Sequence, residues 1–395
     1  GNPLIPTRDV TDATVDTAPA PDALARVLAE APFVRLVATD DGDALAAAGV
    51  LARALRTCSV PFHLRVAADP RPEPTDDDRA VVVGADRGPH AIAGTRVPAS
   101  VTAFAVARAL GADPDPVTAL AGVVAAGSTP GGDGSDTVLT AAASTGLVAQ
   151  RPGVAVPTAA VVDDLAASTL VRMPYSGDRD AVHTAVASLE LPAELGADAH
   201  RRLASLVAVD VTTAADASTQ SATAVERALG PYAIATEDVS FETVGGYADV
   251  LEALAREAPG TGVALALSVA PDDDLVAAAL DAWRTHGTTA HAALDAATIG
   301  RYDGCAVFRV DTTQPVLPTV ARLARDFCSP EPVAIAVDDA AGRVAVSARE
   351  PCAIGDACRA AARETDETGW GTPARGGMDV AGDPTDALTA LREAL

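Results

Sequence analysis

Three aspartates directly follow an apolar run near the N-terminus, and their spacing could hold a metal ion. The run FVRLVAT (33–39) predicts a buried strand, and Asp40, Asp41 and Asp43 lie between it and a helical pattern at 44–55. In open α/β sheets, ligands bind at the carboxyl ends of the strands, and two carboxylates one residue apart can bind a hard divalent cation. The alternative is capping of the following helix, because aspartates there accept free N–H groups and complement the helix dipole.

The elements that must position these aspartates alternate between strand and helix from residue 23 onward. Strands are predicted at 33–39, 62–67, 80–86, 262–268, 305–310, 332–338 and 343–349. Helices are predicted at 44–55, 100–110, 117–127, across much of 155–230, and at 273–285, 317–326 and 355–363. This order predicts an α/β fold with a mostly parallel N-terminal sheet and a smaller, mixed α/β C-terminal domain, joined by helices. The predicted boundaries are 1–22 for an N-terminal lead-in, 23–190, 191–235 and 236–395.

The composition excludes some functions. The chain has 395 residues, a net charge of −25 and no lysine. Such a charge repels phosphates at long range, so a broadly basic nucleic-acid-binding surface is excluded. An acidic chain without lysine suits a cytosol at very high salt, where the Debye length falls to about 3 Å. We therefore expect a halophilic microbe, although a GC-rich genome would also favour arginine over lysine.

Other common sites and signals are absent from the sequence. The five cysteines form no C-x-x-C pair, so neither a zinc site nor a disulfide framework is indicated. No run of about 18 apolar residues predicts a membrane span, and the first residues lack a secretion signal pattern. From these features we expect a cytoplasmic protein without a membrane partner.

The segment TDDGDALAAAGVLARAL (39–55) resembles the first motif of the DHH phosphoesterase superfamily, to which the RecJ nucleases belong. That motif reads H-x-D-A-D-G and continues into a helix of small residues. The resemblance matches Asp41 and Asp43 to two metal-binding aspartates of the family. It matches Asp86, at the end of AVVVGAD, to a further one.

Other ligands of that family are missing here. Thr39 stands where the family has histidine, Ser128 stands at the place of a later aspartate, and no Asp-His-His triplet occurs. Two-metal hydrolysis needs several carboxylate and imidazole ligands to hold cations about 3.5–4 Å apart. The resemblance therefore implies a vestigial metal site of Asp41, Asp43 and Asp86 without catalytic residues. It requires no cofactor and allows at most weak binding of Mn²⁺ or Mg²⁺.

The C-terminal part resembles the domain that accompanies the DHH domain in the same family. There a strand ends near S-x-R and a later motif reads G-G-H-x-x-A-A-G; here Arg349 ends the strand, and Met378 replaces the histidine. The resemblance implies that Arg349, Arg375, Gly376 and Gly377 bind phosphate or nucleic acid, since glycine lets a backbone approach a phosphate. The alternative is a tight turn with arginine in a surface ion pair.

A third stretch, 241–268, is similar to the family's entry into this domain: a helix containing Arg256, then a glycine turn and a strand. Together these segments imply a two-domain DHH-type phosphoesterase fold and a RecJ-like protein of a halophilic archaeon. The lost ligands imply a catalytically degenerate scaffold or partner subunit in DNA replication or repair. The implied partners are GINS- or MCM-type replication proteins or an active RecJ-like paralogue, with weak binding of single-stranded DNA or RNA. The alternatives are an active single-strand exonuclease with a reduced metal site, or a small-molecule binder.

Overall fold

The computed structural model describes residues 20–72, 79–192, 195–236 and 240–395. The lead-in predicted at 1–22 lies almost entirely outside these ranges. The first elements are α1 Pro21–Ala29, β1 Val34–Ala38, α2 Gly42–Thr57, β2 Phe62–Val66, β3 Arg79–Val83, β4 Ala91–Ile92, α3 Ala99–Ala109, α4 Pro116–Ala125, α5 Asp136–Ser144 and β5 Val148–Gln150.

Strands β1 to β4 form a parallel sheet in the order β2-β1-β3-β4. Val34 of β1 pairs with Phe62 on one side and with Arg79 on the other. Most of β1 is buried, as expected for a central strand of a parallel sheet covered by helices. Because β1 runs directly into α2, residues 39–43 lie at the sheet edge where such folds bind ligands.

The middle of the chain is mainly helical, as predicted. Its elements are α6 Val161–Ala167, α7 Arg179–Ala187, α8 Ala197–Thr213, α9 Ser221–Glu226, β6 Tyr232–Ile234, α10 Val244–Glu257, α11 Pro259–Leu267 and α12 Asp273–Asp295. Strand β6 pairs with β5 in a small antiparallel sheet.

The prediction of a strand at 262–268 is wrong, because most of this segment belongs to helix α11. Pro259 occupies the first turn, where its missing N–H group is not needed. Gly262, Leu265 and Ala266 are buried, and this spacing of three and four residues marks one helical face. The run is apolar at nearly every position, and periodicity alone cannot distinguish a buried strand from a buried helix in such a run.

The C-terminal part contains a six-stranded sheet in the order β11-β12-β10-β9-β8-β7. All its neighbouring strands are antiparallel except β8 and β9. Its elements are β7 Thr298–Tyr302, β8 Cys305–Arg309, α13 Leu317–Leu323, a π-helical turn Ala324–Cys328, β9 Val333–Asp338, β10 Arg343–Ala348, α14 Ile354–Glu364, β11 Thr368–Gly371, β12 Arg375–Asp379 and α15 Thr385–Ala394.

Three hydrophobic cores organise these elements. The first packs the parallel sheet and α1 to α5 with α10, α11 and the first half of α12. The second packs residues 154–228 and the end of α12 against one face of the C-terminal sheet, and the third packs α14 and α15 on the other face. The predicted fold class, α/β with a parallel N-terminal sheet and a mixed C-terminal sheet, is confirmed. The boundaries at 190 and 235 stay a prediction. No helix in the described part of the chain is both long and apolar enough to span a membrane.

Candidate functional site

Asp41 caps the helix that follows the central strand of the parallel sheet. Its Oδ1 accepts the N–H of Ala44 at 2.8 Å, and its Oδ2 accepts a short hydrogen bond from the Thr39 hydroxyl. Thr39, which the motif comparison matches to the family's histidine, donates its hydroxyl hydrogen to this carboxylate. Both oxygens of Asp41 are already hydrogen-bonded within the protein.

Asp43 caps a different helix from the one it belongs to. Its two carboxylate oxygens accept the N–H groups of Ala99 at 2.6 Å and Ser100 at 2.9 Å, at the start of α3. The side chain is buried. Burial, and then the neighbouring Asp41 carboxylate, raise the pKa of Asp43 to about 7, against the effect of these hydrogen bonds. The capping alternative therefore describes both aspartates, but for two separate helices.

Asp86 does not join the other two aspartates. It lies in the loop after β3, is exposed, and makes no hydrogen bond or ion pair with the described residues. Within the ranges that the structure describes, no group of three or more His, Cys, Asp or Glu side chains is placed to hold a metal ion. The structure therefore brings Asp41 and Asp43 to one turn and leaves Asp86 apart.

Helix α10 contributes a buried ion pair to the same turn. Glu252 accepts the N–H of Gly42 at 2.6 Å through Oε2, and its Oε1 lies 2.6 Å from Nη1 of Arg256. Burial opposes ionisation, but Arg256 and then two further arginines lower the pKa of Glu252 to about 2. Glu252 therefore stays charged at neutral pH and holds Arg256 against the turn.

Arg375 reaches the same turn from the C-terminal sheet. It donates a short hydrogen bond to Oδ2 of Asp41, and its Nη1 lies 3.6 Å from Oδ1 of Asp40. Arg256 approaches Oδ2 of Asp40 at 3.8 Å. Burial raises the pKa of Asp40, whereas Arg256 and Arg375 counteract that rise. Two guanidinium groups therefore supply positive charge beside the aspartates.

These contacts decide whether a metal centre fits. The oxygens of Asp41 and Asp43 already accept hydrogen bonds from backbone N–H groups, a hydroxyl and a guanidinium, and within the described residues no group of three or more His, Cys, Asp or Glu is placed to bind a cation with them. The described residues do not fit a pair of cations.

Gly376 and Gly377 lie inside strand β12, not in an open loop. A Cβ on Gly376 would lie 2.7 Å from the carbonyl oxygen of Trp370, and one on Gly377 would lie 2.9 Å from the Trp370 ring. Met378 is fully buried in the third core. Close packing of neighbouring strands and side chains accounts for these glycines, and phosphate binding by them stays a prediction.

Arg349 lies just past the end of β10, two residues beyond Ser347, which pairs with Arg375 in the sheet. Its guanidinium donates to the carbonyl oxygen of Glu331 at 3.3 Å. Burial and the nearby Arg325 lower its pKa. It makes no ion pair with the described residues, which leaves its predicted role toward phosphate untested.

Three more arginines surround one buried carboxylate, Asp326. Arg227 and Arg325 each lie 2.6 Å from its oxygens, and Arg322 lies 3.8 Å away. Burial opposes ionisation, but Arg325, Arg227 and Arg322 lower the pKa of Asp326 well below its usual range. Sequence reasoning missed this cluster and Glu252, because their chain positions are scattered and no motif joins them.

Gly42 allows the close approach of α2, α4 and α10 on which the site depends. A Cβ there would lie 2.8 Å from Cβ of Ala125 and 2.9 Å from the backbone nitrogen of Glu252. Gly42→Ala will therefore overpack the turn and lower the free energy of unfolding by about 1–3 kcal/mol. Gly260→Ala is the matched control, because a Cβ at that helical position meets nothing within 4 Å. Urea unfolding in molar KCl measures both, and equal stability of the two variants would contradict this packing role.

A known protein of a halophilic archaeon is similar to this chain along nearly its whole length. The chain is 46% identical over 386 residues, 96% of its length and 97% of the relative's, to the uncharacterized protein rrnAC1427 of Haloarcula marismortui. That source agrees with the expected halophilic archaeal origin. Residues 297–393 match a family model described as the C-terminal domain of the same uncharacterized protein.

Solved structures show the same fold at low identity. CDC45 from Entamoeba histolytica superposes with a TM-score of 0.61 and 9% identity, over 95% of this chain and 98% of the other. The Mn²⁺ complex of RecJ from Thermus thermophilus gives a TM-score of 0.51 and 14% identity, over 95% of this chain and 54% of the RecJ chain. The fold is therefore that of CDC45 and RecJ, which agrees with the DHH-type architecture expected from the motifs. By sequence, the chain belongs to the family of rrnAC1427.

Proposed function

We propose that this protein is a catalytically degenerate, RecJ-like member of the DHH superfamily that acts as a scaffold or partner subunit in DNA replication or repair. The proposal rests on the hydrogen bonds and ion pairs that the aspartates make in the turn after β1. Asp43 caps a helix, Asp41 is hydrogen-bonded through both oxygens, and Arg256 and Arg375 supply the positive charge. A pair of activating metal ions therefore lacks ligands there.

A retained fold around such a turn favours a role in assembly. The similarity to CDC45 extends over nearly the whole of both chains, and the chain spans about half of the Thermus thermophilus RecJ chain. The partners we propose are GINS- or MCM-type replication proteins or an active RecJ-like paralogue. Single-stranded DNA or RNA would bind weakly, because a net charge of −25 opposes phosphates and because Arg227 and Arg375 are paired with carboxylates.

The first test is a nuclease assay on the full chain. We expect no Mn²⁺- or Mg²⁺-dependent degradation of end-labelled single-stranded DNA or RNA above the background of the Asp41→Ala variant, measured in molar KCl. Exonuclease activity that requires Mn²⁺ and disappears in Asp41→Ala would refute degeneracy and support the alternative, an active exonuclease with a reduced metal site.

The second test addresses the partner. We expect the tagged full chain, purified from its native host at high salt, to retain a GINS- or MCM-type protein or a RecJ-like paralogue. The same tag on an unrelated acidic protein is the control. A low-salt experiment would mislead, because unscreened repulsion within a −25 chain loosens its fold. Recovery of none of these partners would count against the proposal.

A further inference from the structure

Arg375 joins two parts of the molecule that otherwise have separate cores. In the described chain, the helices and strands of residues 20–150 do not pack extensively against those of residues 297–395, and the two ranges belong to different cores. Arg375 lies at the start of β12, yet its guanidinium pairs with Asp40 and Asp41, which precede α2. These ion pairs join the two parts, and the boundary between the parts at this point is called the cleft below.

The opposite side of the cleft is fixed by a continuous helix and buried hydrogen bonds. Helix α12 has 23 residues and contributes to both the first and the second core. His286 on α12 lies 3.1 Å from Glu257 of α10 and 2.8 Å from Thr319 of α13. Because His286 and Thr319 are buried, this side holds the two parts together without help from Arg375.

The ion pairs of Arg375 are weaker by comparison. The side chains of Arg375, Asp40 and Asp41 are 29%, 24% and 17% exposed. Water and salt therefore screen these pairs more than the Glu252–Arg256 pair, whose side chains are 11% and 5% exposed. The two parts are thus joined by buried hydrogen bonds at α12 and by weaker, partly exposed ion pairs at Arg375.

We propose that Arg375 is an ionic latch that holds the cleft closed, and that the two parts open about the α10–α12–α13 side when Arg375 leaves Asp40 and Asp41. The latch is a property of this fold, whether or not the partners proposed above bind. A ligand or partner that enters the cleft at this point must first displace Arg375 from Asp41.

The test measures the distance between the two parts directly. Cysteines are introduced at the exposed positions Ser144 on α5 and Thr389 on α15 and are spin-labelled, after the exposed Cys352 is replaced by serine and the half-buried Cys58 by alanine. Pulsed electron resonance in molar KCl then gives the distance distribution. We expect one main distance in the parent protein and, in Arg375→Gln, a longer one whose population relative to the closed state rises about five-fold.

Arg343→Gln is the matched control. Arg343 belongs to the same sheet and pairs with Asp379 at 3.6 Å, but both residues lie within the C-terminal part. Its distance distribution should equal that of the parent. Unchanged distances in Arg375→Gln, or equal opening in both variants, would overturn the latch. Should Arg375→Gln fail to fold by circular dichroism, Asp40→Asn, which leaves the Asp41 cap intact, must show a smaller opening in the same direction; an unchanged distance there would also overturn it.

Discussion

Glu252→Gln will lower the free energy of unfolding by about 3 kcal/mol at neutral pH, because it leaves a buried guanidinium without its closest carboxylate. Glu252 and Arg256 are 11% and 5% exposed, and the nearest other carboxylate, Asp40, lies 3.8 Å from Arg256. Glutamine can still accept the N–H of Gly42, so the loss of stability measures the removed charge more than a change in side-chain shape. Urea unfolding in molar KCl is the measurement.

The loss will depend on pH in a defined direction. The pKa of Glu252 falls from 4.5 to about 2 in the folded protein. A depressed folded pKa contributes stability above the unfolded pKa, and that stability is lost as the pH falls through the folded pKa. The difference between the parent and Glu252→Gln should therefore be constant above pH 4.5 and shrink steadily toward pH 2, over a total of about 3 kcal/mol.

Glu242→Gln is the control for the same chemical change at a surface pair. Glu242 is 48% exposed and lies 3.7 Å from Arg151, so its loss should cost no more than about 1 kcal/mol. If Glu252→Gln cost as little as this control, Arg256 would not depend on Glu252, and the charge balance proposed for the site would be wrong.

The expected cost follows from the source of positive charge at this turn. A divalent cation at the end of a parallel strand attracts carboxylates, and here guanidinium groups of two different elements do the same. Arg256 comes from α10 and Arg375 from β12. Because a guanidinium is permanently charged, the site keeps its positive charge without any bound ion.

The N-terminal sheet and its turn could be predicted because their signals are local. The apolar run at 33–39, the following aspartates and the helix at 44–55 are contiguous, and the structure has β1 and α2 there. The run at 262–268 lies mostly in helix α11 and not in the predicted strand, because an apolar run this short has no period that distinguishes the two. Local pattern therefore determined the elements wherever apolar and polar residues alternated clearly.

The contacts between the residues of the site could not be predicted, because they join residues that are far apart in the sequence. Gly42 and Glu252 are 210 residues apart, and Asp41 and Arg375 are 334 residues apart. The sequence allowed capping by Asp43 but not the identity of the capped helix, which is α3. A net charge of −25 likewise gave no sign that Arg227, Arg322 and Arg325 gather around Asp326.

Asp43 provides the second large effect, and its sign is opposite to that of Glu252. Burial and Asp41 raise the pKa of Asp43 from 3.8 to about 7. A carboxyl with a raised folded pKa binds its proton more tightly in the folded state, so its contribution to stability is greatest below the unfolded pKa and declines as the pH rises toward the folded one. Between about pH 4 and pH 7 the parent should therefore lose about 4 kcal/mol relative to a variant that does not titrate at this position.

Asp43→Asn is that variant, and the pH slope of the stability difference is the quantity to measure. Asparagine retains one oxygen that accepts an N–H group of α3, so the difference in unfolding free energy between the variant and the parent is constant at low pH. As the pH rises to about 7 this difference shifts in favour of the variant, and above that pH it levels off. Asp178→Asn is the control, since Asp178 accepts two N–H groups of α7 in the same way but is exposed; any slope it shows is subtracted. A flat difference for Asp43→Asn, or a slope of the opposite sign, would show that the capped carboxylate is charged throughout and that the amides of α3 outweigh its burial.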